Sequence, residues 1–445
     1  MKLNKIGILF ISLLTGMTLT FTSCNIEEIP NPNGPTVESL LDGATLADIQ
    51  LLANGLEAVM RRDLEFYVQV VSIVGREYWD LNGVDPRYTG ELLGEQGAPL
   101  DNFGFLTTRS FAARYRAVKN AQVLIESVPN SSASLTQAQQ DGLIGYAKTM
   151  QAYALLLVAN RQFSQGIRLA DAVEDPDNLG AYVTYEEGLA GIRSLLDEAF
   201  GLLDGGEFVF DMSGGFGQYG LNTAAGFGQF NRAIAARVSL YQDNKADALA
   251  ALNQSFFSLT AALDAGAYHA YNIGGNDIPN PMFYIPNQDL YIAHPTWVAD
   301  AEMGDTRVSA KTTPLDPDAI GVPVTLAGLS GDVQVQNIAS NTSSFPIIRN
   351  EELILIYAEA NIGTNNDEAA AAINVVRTAA GLAEYAGGLD DASLLNEVVN
   401  QRRYSLFGEA HRWVDLRRLG RLSEVPIDRA GDIVHEFFPR PATEN

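Results

Sequence analysis

Cysteine is almost absent from this chain: Cys24 is the single one in 445 residues. One thiol cannot build an intramolecular disulfide framework or a thiolate metal cluster. Histidine is scarce and scattered, at His269, His294, His411 and His435, and no HExxH, GxSxG or phosphate-cradling glycine loop appears. Positive charge is also in deficit, with 29 Lys and Arg against 54 Asp and Glu and a formal net charge of −25. Such a surface repels phosphate backbones and anionic head groups, which argues against nucleic acid as a partner. Beyond the N-terminus no stretch approaches the ~20 apolar residues of a membrane span. What remains, with 47% hydrophobic residues and no low-complexity tract, is enough to bury a large core.

The N-terminus has the layout of a bacterial export signal: Lys2 and Lys5, an apolar core from Ile6 to Phe21, then Thr22 and Ser23 before Cys24. Ser12, Thr15, Thr18 and Thr20 interrupt the core, so cleavage is expected, with residues 1–23 as signal peptide. Phe21-Thr22-Ser23-Cys24 resembles a lipobox, which makes Cys24 the lipidation site and the new N-terminus. Several acyl chains on one residue anchor stably where a single chain does not. The cleaved chain loses Lys2 and Lys5, leaving 27 basic against 54 acidic side chains and a charge of −27. Glu27-Glu28 resembles the acidic signal that sends Bacteroidota lipoproteins to the cell surface; a solvated tether is the alternative. Residues 29–35, IPNPNGP, read as a stiff spacer, so 24–35 is the tether.

Residues 36–445 are expected to form one all-α body. Apolar residues recur at steps of three and four in Val118, Ala121, Ile125, Val128, and again in Leu143, Ala147, Met150, Ala154, Leu157. Thr136 with Gln139 predicts a capping box at the start of the second helix. Leu189, Ile192, Leu196, Ala199 and Leu203 form a third stripe that stops at Gly205-Gly206. Ile234, Val238 and Tyr241 precede a turn at 242–244, and Leu249, Leu252, Phe256, Leu259 and Leu263 predict a helix beyond it. EELILIYAEANI, GTNN and DEAAAAINVVRTAAGL repeat the helix–turn–helix unit near the C-terminus. The recurrence suggests tetratricopeptide-like hairpins without a strict 34-residue period.

Three stretches break the pattern. Residues 75–105 and 211–230 are Gly-rich and polar, and 268–345 is rich in Pro, Gly, Asn and Asp. A long irregular insert in a compact body is usually functional, and its aromatics argue against disorder.

RNEELILIYAEA, AAAAINVVRTAAGL, NQRRYSLFGEAHRWVDLRRLGR and FPRPATE resemble, in order and spacing, the C-terminal half of the SusD/RagB lipoproteins. ARYRAVKNAQVLIESV, GLIGYAKTMQAYALLLV and FNRAIAARVSLY resemble that family's earlier helices, so the likeness covers most of the chain. Gln401 and Ser405 depart from it, standing where glutamates are common. The resemblance implies a glycan-binding lipoprotein on the outer face of a Bacteroidota outer membrane. It would work in polysaccharide utilisation and nutrient uptake, capturing oligo- or polysaccharide and handing it to a SusC-like TonB-dependent transporter, as a binder and not an enzyme. Capture of peptides, as in the RagB branch, is the first alternative. An all-α polysaccharide hydrolase or lyase, which would need a pair of carboxylates, is the second.

A sugar ring presents an apolar face and a hydroxyl rim, so its site needs aromatic platforms beside planar hydrogen-bonding groups. Trp79 with Asp80 and Asn82, flanked by Tyr78 and Tyr88, supplies that pairing in one polar stretch. Tyr284, Tyr291 and Trp297 supply it in the 268–345 insert. Each is also a candidate loop anchor, and the resemblance implies that Trp413, inside the RWVDLRRLG run, is a core residue. Asp415 lies three residues from both Arg412 and Arg418, a spacing that predicts structural ion pairs and not an anion site. No cofactor is expected; whether calcium orders the acidic run Asp175 to Asn178 stays open.

Overall fold

A computed structural model describes residues 36–169, 180–275 and 277–444. The signal peptide, Cys24, the tether and the Asp175 to Asn178 run lie outside the described residues.

The chain begins with helices α1 (Val37–Leu41), α2 (Leu46–Met60) and α3 (Leu64–Val74), then strand β1 (Tyr78–Asp80). Next come the long helices α4 (Phe105–Ser127) and α5 (Gln137–Gln162), the strand pair β2 (Ile167–Arg168) and β3 (Tyr182–Val183), and α6 (Tyr185–Leu203). The short α7 (Gly214–Gly217) leads into α8 (Ala224–Tyr241) and α9 (Lys245–Leu252). The insert contributes β4 (Gly266–His269), β5 (Tyr291–Ala293), α10 (Pro295–Ala299), α11 (Thr306–Lys311), β6 (Thr312–Pro314), β7 (Val324–Leu326), β8 (Leu329–Gly331), β9 (Val333–Val335) and β10 (Phe345–Arg349). Helices α12 (Asn350–Asn361), α13 (Asn366–Ala379), α14 (Asp391–Ser405) and α15 (Arg412–Arg418) close the fold.

The helical stripes pack as expected. Thr136 and Gln139 form the reciprocal capping box of α5, and Thr45 with Asp48 and Thr184 with Glu187 do the same for α2 and α6. Each side chain satisfies an N–H that the helix start leaves without a partner. Helices α4, α5 and α6 pack in succession, α8 packs on α6 and α9, and α12 on α13, which gives the hairpin stacking. Gly142 and Gly145 let α5 approach the end of α6: a Cβ at Gly145 would stand 2.8 Å from the Leu203 side chain, and one at Gly142 2.3 Å from the Glu207 carbonyl.

One helix is shorter than its stripe. Phe256, Leu259 and Leu263 lie beyond the end of α9 at Leu252, in turns. The Asn350 amide accepts the Ser258 N–H at 2.9 Å and donates to its carbonyl at 2.8 Å, and Phe257 packs on Tyr357 with ring centroids 4.7 Å apart. These bonds tie the segment to the start of α12, so its apolar residues are buried without being helical.

The RWVDLRRLG run is structural. Trp413 is fully buried, donates its indole N–H to the His435 carbonyl at 2.8 Å and meets Phe438 edge-on. Asp415 pairs with Arg418 at 3.0 Å, but its second partner is Arg402 of α14 at 2.7 Å and not Arg412. Burial pushes the Asp415 carboxyl up, yet Arg402 and Arg418 overcome this and hold it at about 2. Arg418 also binds Glu359 of α12, so one buried network joins three C-terminal helices.

The insert is not wholly irregular. Its strands join β1 in a sheet of order β1-β5-β9-β6, all neighbours antiparallel. β10 pairs with β4, and β7 with β8 through a two-residue turn at Ala327 (φ 49°) and Gly328 (φ 80°), the left-handed pair that suits a tight hairpin.

Candidate functional site: a tyrosine-rich face on the short sheet

β1 pairs with β5 in the register Tyr78 to Ala293, Trp79 to Ile292 and Asp80 to Tyr291. Side chains alternate across a strand, so Tyr78 and Asp80 share one face and Trp79 takes the other. This alternation sorts the aromatics that the sequence left together.

On the first face Tyr284 and Tyr291 stack, with centroids 3.9 Å apart and rings inclined by 20°, and Tyr78 meets Tyr291 edge-on at 6.0 Å. Gln69 of α3 donates its amide N–H to the Tyr291 hydroxyl at 3.1 Å. Asp80 accepts the Asn82 backbone N–H at 3.0 Å and its amide at 2.8 Å, and Asn82 accepts the Leu290 N–H at 2.8 Å. These bonds pin the loop after β1 to the approach of β5. Tyr78 and Tyr284 are buried, whereas Tyr291, Tyr88 and Asn82 are half-buried and open the cluster to solvent.

The aromatic surface continues onto the helices. Tyr88 packs against Phe105 at 6.1 Å and Phe105 meets Phe66 edge-on at 6.0 Å. The Arg87 guanidinium lies 4.3 Å above Phe105 and that of Arg109 3.9 Å above Phe66. Both cations are held by carboxylates, Arg87 by Asp85 at 2.6 Å and Arg109 by Asp63 at 2.7 Å. Phe103, two residues before Phe105, is 77% exposed. Burial, with the charges of Asp80 and Asp85 added, pushes the Tyr88 phenol up to about 12, and burial with Tyr284 and Asp80 drives Tyr291 up as well. Both phenols therefore keep their protons as donors at neutral pH. Burial also raises Glu65 and Asp80, the latter against the opposing hydrogen bonds of Asn82.

The tryptophans are corrected. Trp79 lies in a strand, is 4% exposed, meets His294 edge-on at 4.9 Å and donates to Asp428 at 3.1 Å. Trp297, in α10, is 2% exposed and stacks on Phe407 at 3.8 Å with Tyr404 beside it at 4.7 Å. Neither offers a ring face to a ligand; both are core. Tyr78, Asp80, Asn82, Tyr88, Tyr284 and Tyr291 come together as one cluster. Sequence reasoning missed Phe66, Phe105, Gln69 and Glu65. Gln69 carried a signal as the single polar residue inside Tyr67-Val68-Gln69-Val70-Val71, and Phe105 closes the Gly-rich stretch that holds Tyr88.

A separate groove of about 220 Å³ lies between α2 and the loops near 211 and 277, lined by Asn54, Glu57, Arg61, Asp211 and Asp277 among others, none of them aromatic. Among the described residues no group of three or more His, Cys, Asp or Glu is placed to hold a metal ion.

The SusD family model matches residues 324–432, from β7 past α15. A SusD superfamily protein from Bacteroides vulgatus superposes with a TM-score of 0.69 at 17% identity, covering 89% of this chain and 96% of that one. This chain has a SusD-like fold. The SusD-like body also matches the surface glycan-binding protein A of Bacteroides thetaiotaomicron, solved with laminarihexaose, with a TM-score of 0.66 at 15% identity over 90% of this chain and 97% of that one. A laminarin-binding SusD-like protein superposes with a TM-score of 0.65 at 19% identity over 90% and 97%. Comparison with curated protein sequences finds no match. Among the described residues, no helix of the SusD-like body is long and apolar enough to cross a membrane.

Proposed function

We propose that this SusD-like chain, one domain over residues 36–445, is a surface glycan-binding lipoprotein. It is anchored in the outer membrane through Cys24, captures oligo- or polysaccharide, and delivers it to a SusC-like TonB-dependent transporter without cleaving it. The observation that carries the binding reading is the tyrosine-rich face: half-buried Tyr291 and Tyr88, continued by Phe105 and Phe66, beside the acceptors Asp80 and Asn82. Aromatic faces take the apolar side of a pyranose while carboxylate and amide oxygens take its hydroxyls. The glycan-binding neighbours that share the fold support the same reading.

Affinity electrophoresis through gels containing soluble polysaccharides tests it. Retarded migration is expected on at least one glycan, with no new reducing ends after prolonged incubation. Retention should weaken in Tyr88→Ala and Tyr291→Ala. Turnover that survives repurification, or retention indifferent to both tyrosines, would overturn the reading. Loss of the protein from membrane fractions in Cys24→Ala tests the anchor.

A further inference from the structure

The charges around the tyrosine face narrow what it takes, an inference that rests on the glycan-binding reading. Its two guanidiniums, Arg87 and Arg109, lie over Phe105 and Phe66 and are each committed to a carboxylate, Asp85 and Asp63. Three further carboxylates have no ion pair among the described residues: Glu65, Asp80 and Asp289. Their charges act on the platform itself, Asp80 and Asp289 on the Tyr291 phenol, Asp80 and Glu65 on that of Tyr284. Asp80, which is buried, uses one oxygen for Asn82, and half-buried Asp289 uses one for the Ile285 N–H at 2.6 Å, so each has a second oxygen without a hydrogen bond among the described residues. Arg109 and Arg114 also act on Glu65, but Arg109 is held by Asp63 and Arg114 is buried on the Met60 and Arg62 carbonyls.

We propose that the site selects glycans that carry no carboxylate or sulfate, and excludes uronate-rich and sulfated polymers. Neutral sugars donate hydroxyls to the surplus carboxylates in charge-assisted hydrogen bonds. An anionic sugar stacked on Tyr291 brings its charge against Asp80 and Asp289 in a partly desolvated setting, where like charges are strongly unfavourable.

Matched polymer pairs test this with the full folded chain: hydroxyethyl cellulose against carboxymethyl cellulose, and dextran against dextran sulfate, beside laminarin, galactomannan, polygalacturonate and alginate. Retardation is expected only on neutral polymers, with any anionic member at least about tenfold weaker than its neutral partner. Glu65→Gln and the double variant Asp80→Asn with Glu65→Gln should gain retention on the carboxylated member of the pair. Retardation of the parent protein by an anionic polymer, lost in Tyr88→Ala, overturns the selectivity while leaving glycan binding standing. Retardation by no polymer sinks both. A parent that prefers neutral polymers but gains nothing from the carboxylate variants, shown folded by thermal melts, overturns the assignment of selectivity to these residues. The parent panel needs no variant to fold.

Discussion

Two sets of aromatics lie within one strand's width of each other. On one side of β1, Tyr284, Tyr291 and Tyr88 lead outward to Phe105 and solvent; on the other, Trp79 faces His294 and Asp428. Beneath the tyrosines, Phe407 touches Tyr78 at 6.4 Å and stacks on Trp297 at 3.8 Å, so the platform is seated on the buried tryptophan layer. The lesson is that an aromatic in a loop-rich segment is defined by its neighbours and not by its type. The tryptophans, the larger rings and the more obvious platforms, stabilise the support, and the smaller Tyr88 and Tyr291 are the rings that reach solvent.

The comparison breaks first at its buried side. Trp413→Ala and Trp297→Ala should each lose about 3–5 kcal/mol of stability through the cavity left behind, read by urea melts. Glycan retention by the fraction still folded should persist for Trp413→Ala. A Trp297→Ala protein that melts like the parent but no longer binds would return that residue to the ligand side. Asp415→Asn leaves Arg402 and Arg418 buried with a weakened partner, and loss of a buried ion-pair partner costs about 3–5 kcal/mol; an unchanged midpoint would show the network to be dispensable.

Glu77 gives a pH-dependent version. It is buried and accepts the Gly408 N–H at 2.9 Å with one oxygen, and burial raises its pKa to about 7 against the opposing effects of that bond, Ser72 and Arg412. Between its ordinary value near 4.5 and about 7 the unfolded chain releases this proton while the folded one holds it, so the folded state binds more protons. Stability from this residue is therefore intact below the ordinary value and declines as pH rises through 7, by up to about 3 kcal/mol. Glu77→Gln should remove that decline: its melting temperature should exceed the parent's more at pH 8 than at pH 5. An equal difference at both values would place the pH sensitivity elsewhere.

The smallest effect is expected on the open side. Tyr88→Ala should weaken glycan affinity by about tenfold, ~1.4 kcal/mol, with a smaller shift in melting temperature than either tryptophan variant. Calorimetry beside thermal melts reads both quantities. A large loss of stability with unchanged affinity would merge the two sets into one core.

Much of this was legible in the sequence. The stripes of α4, α5 and α6 and the Thr136 capping box follow from local periodicity and capping chemistry, which act within a few residues, whereas the burial of Trp413 was implied by the family resemblance of the RWVDLRRLG run. The stretch from Phe256 to Leu263 misled because its apolar spacing fits a helix, while Asn350, some ninety positions away, captures its backbone. The partner of Asp415 misled for the same reason: Arg402 reaches it from another helix.

The amino-acid sequence by itself determined the helical body, the acidic charge and the two segments, 78–88 and 284–291, that supply the tyrosine face. Their union was decided only by tertiary structure. β1 and β5 are separated by some two hundred residues, and their register sets Asp80 opposite Tyr291 while turning Trp79 away. A shift of one residue would reverse every side chain. No local propensity encodes that register, because the contacts that go with it, β1 on α3 and Phe407 and Tyr291 on Gln69, exist only once the chain has folded.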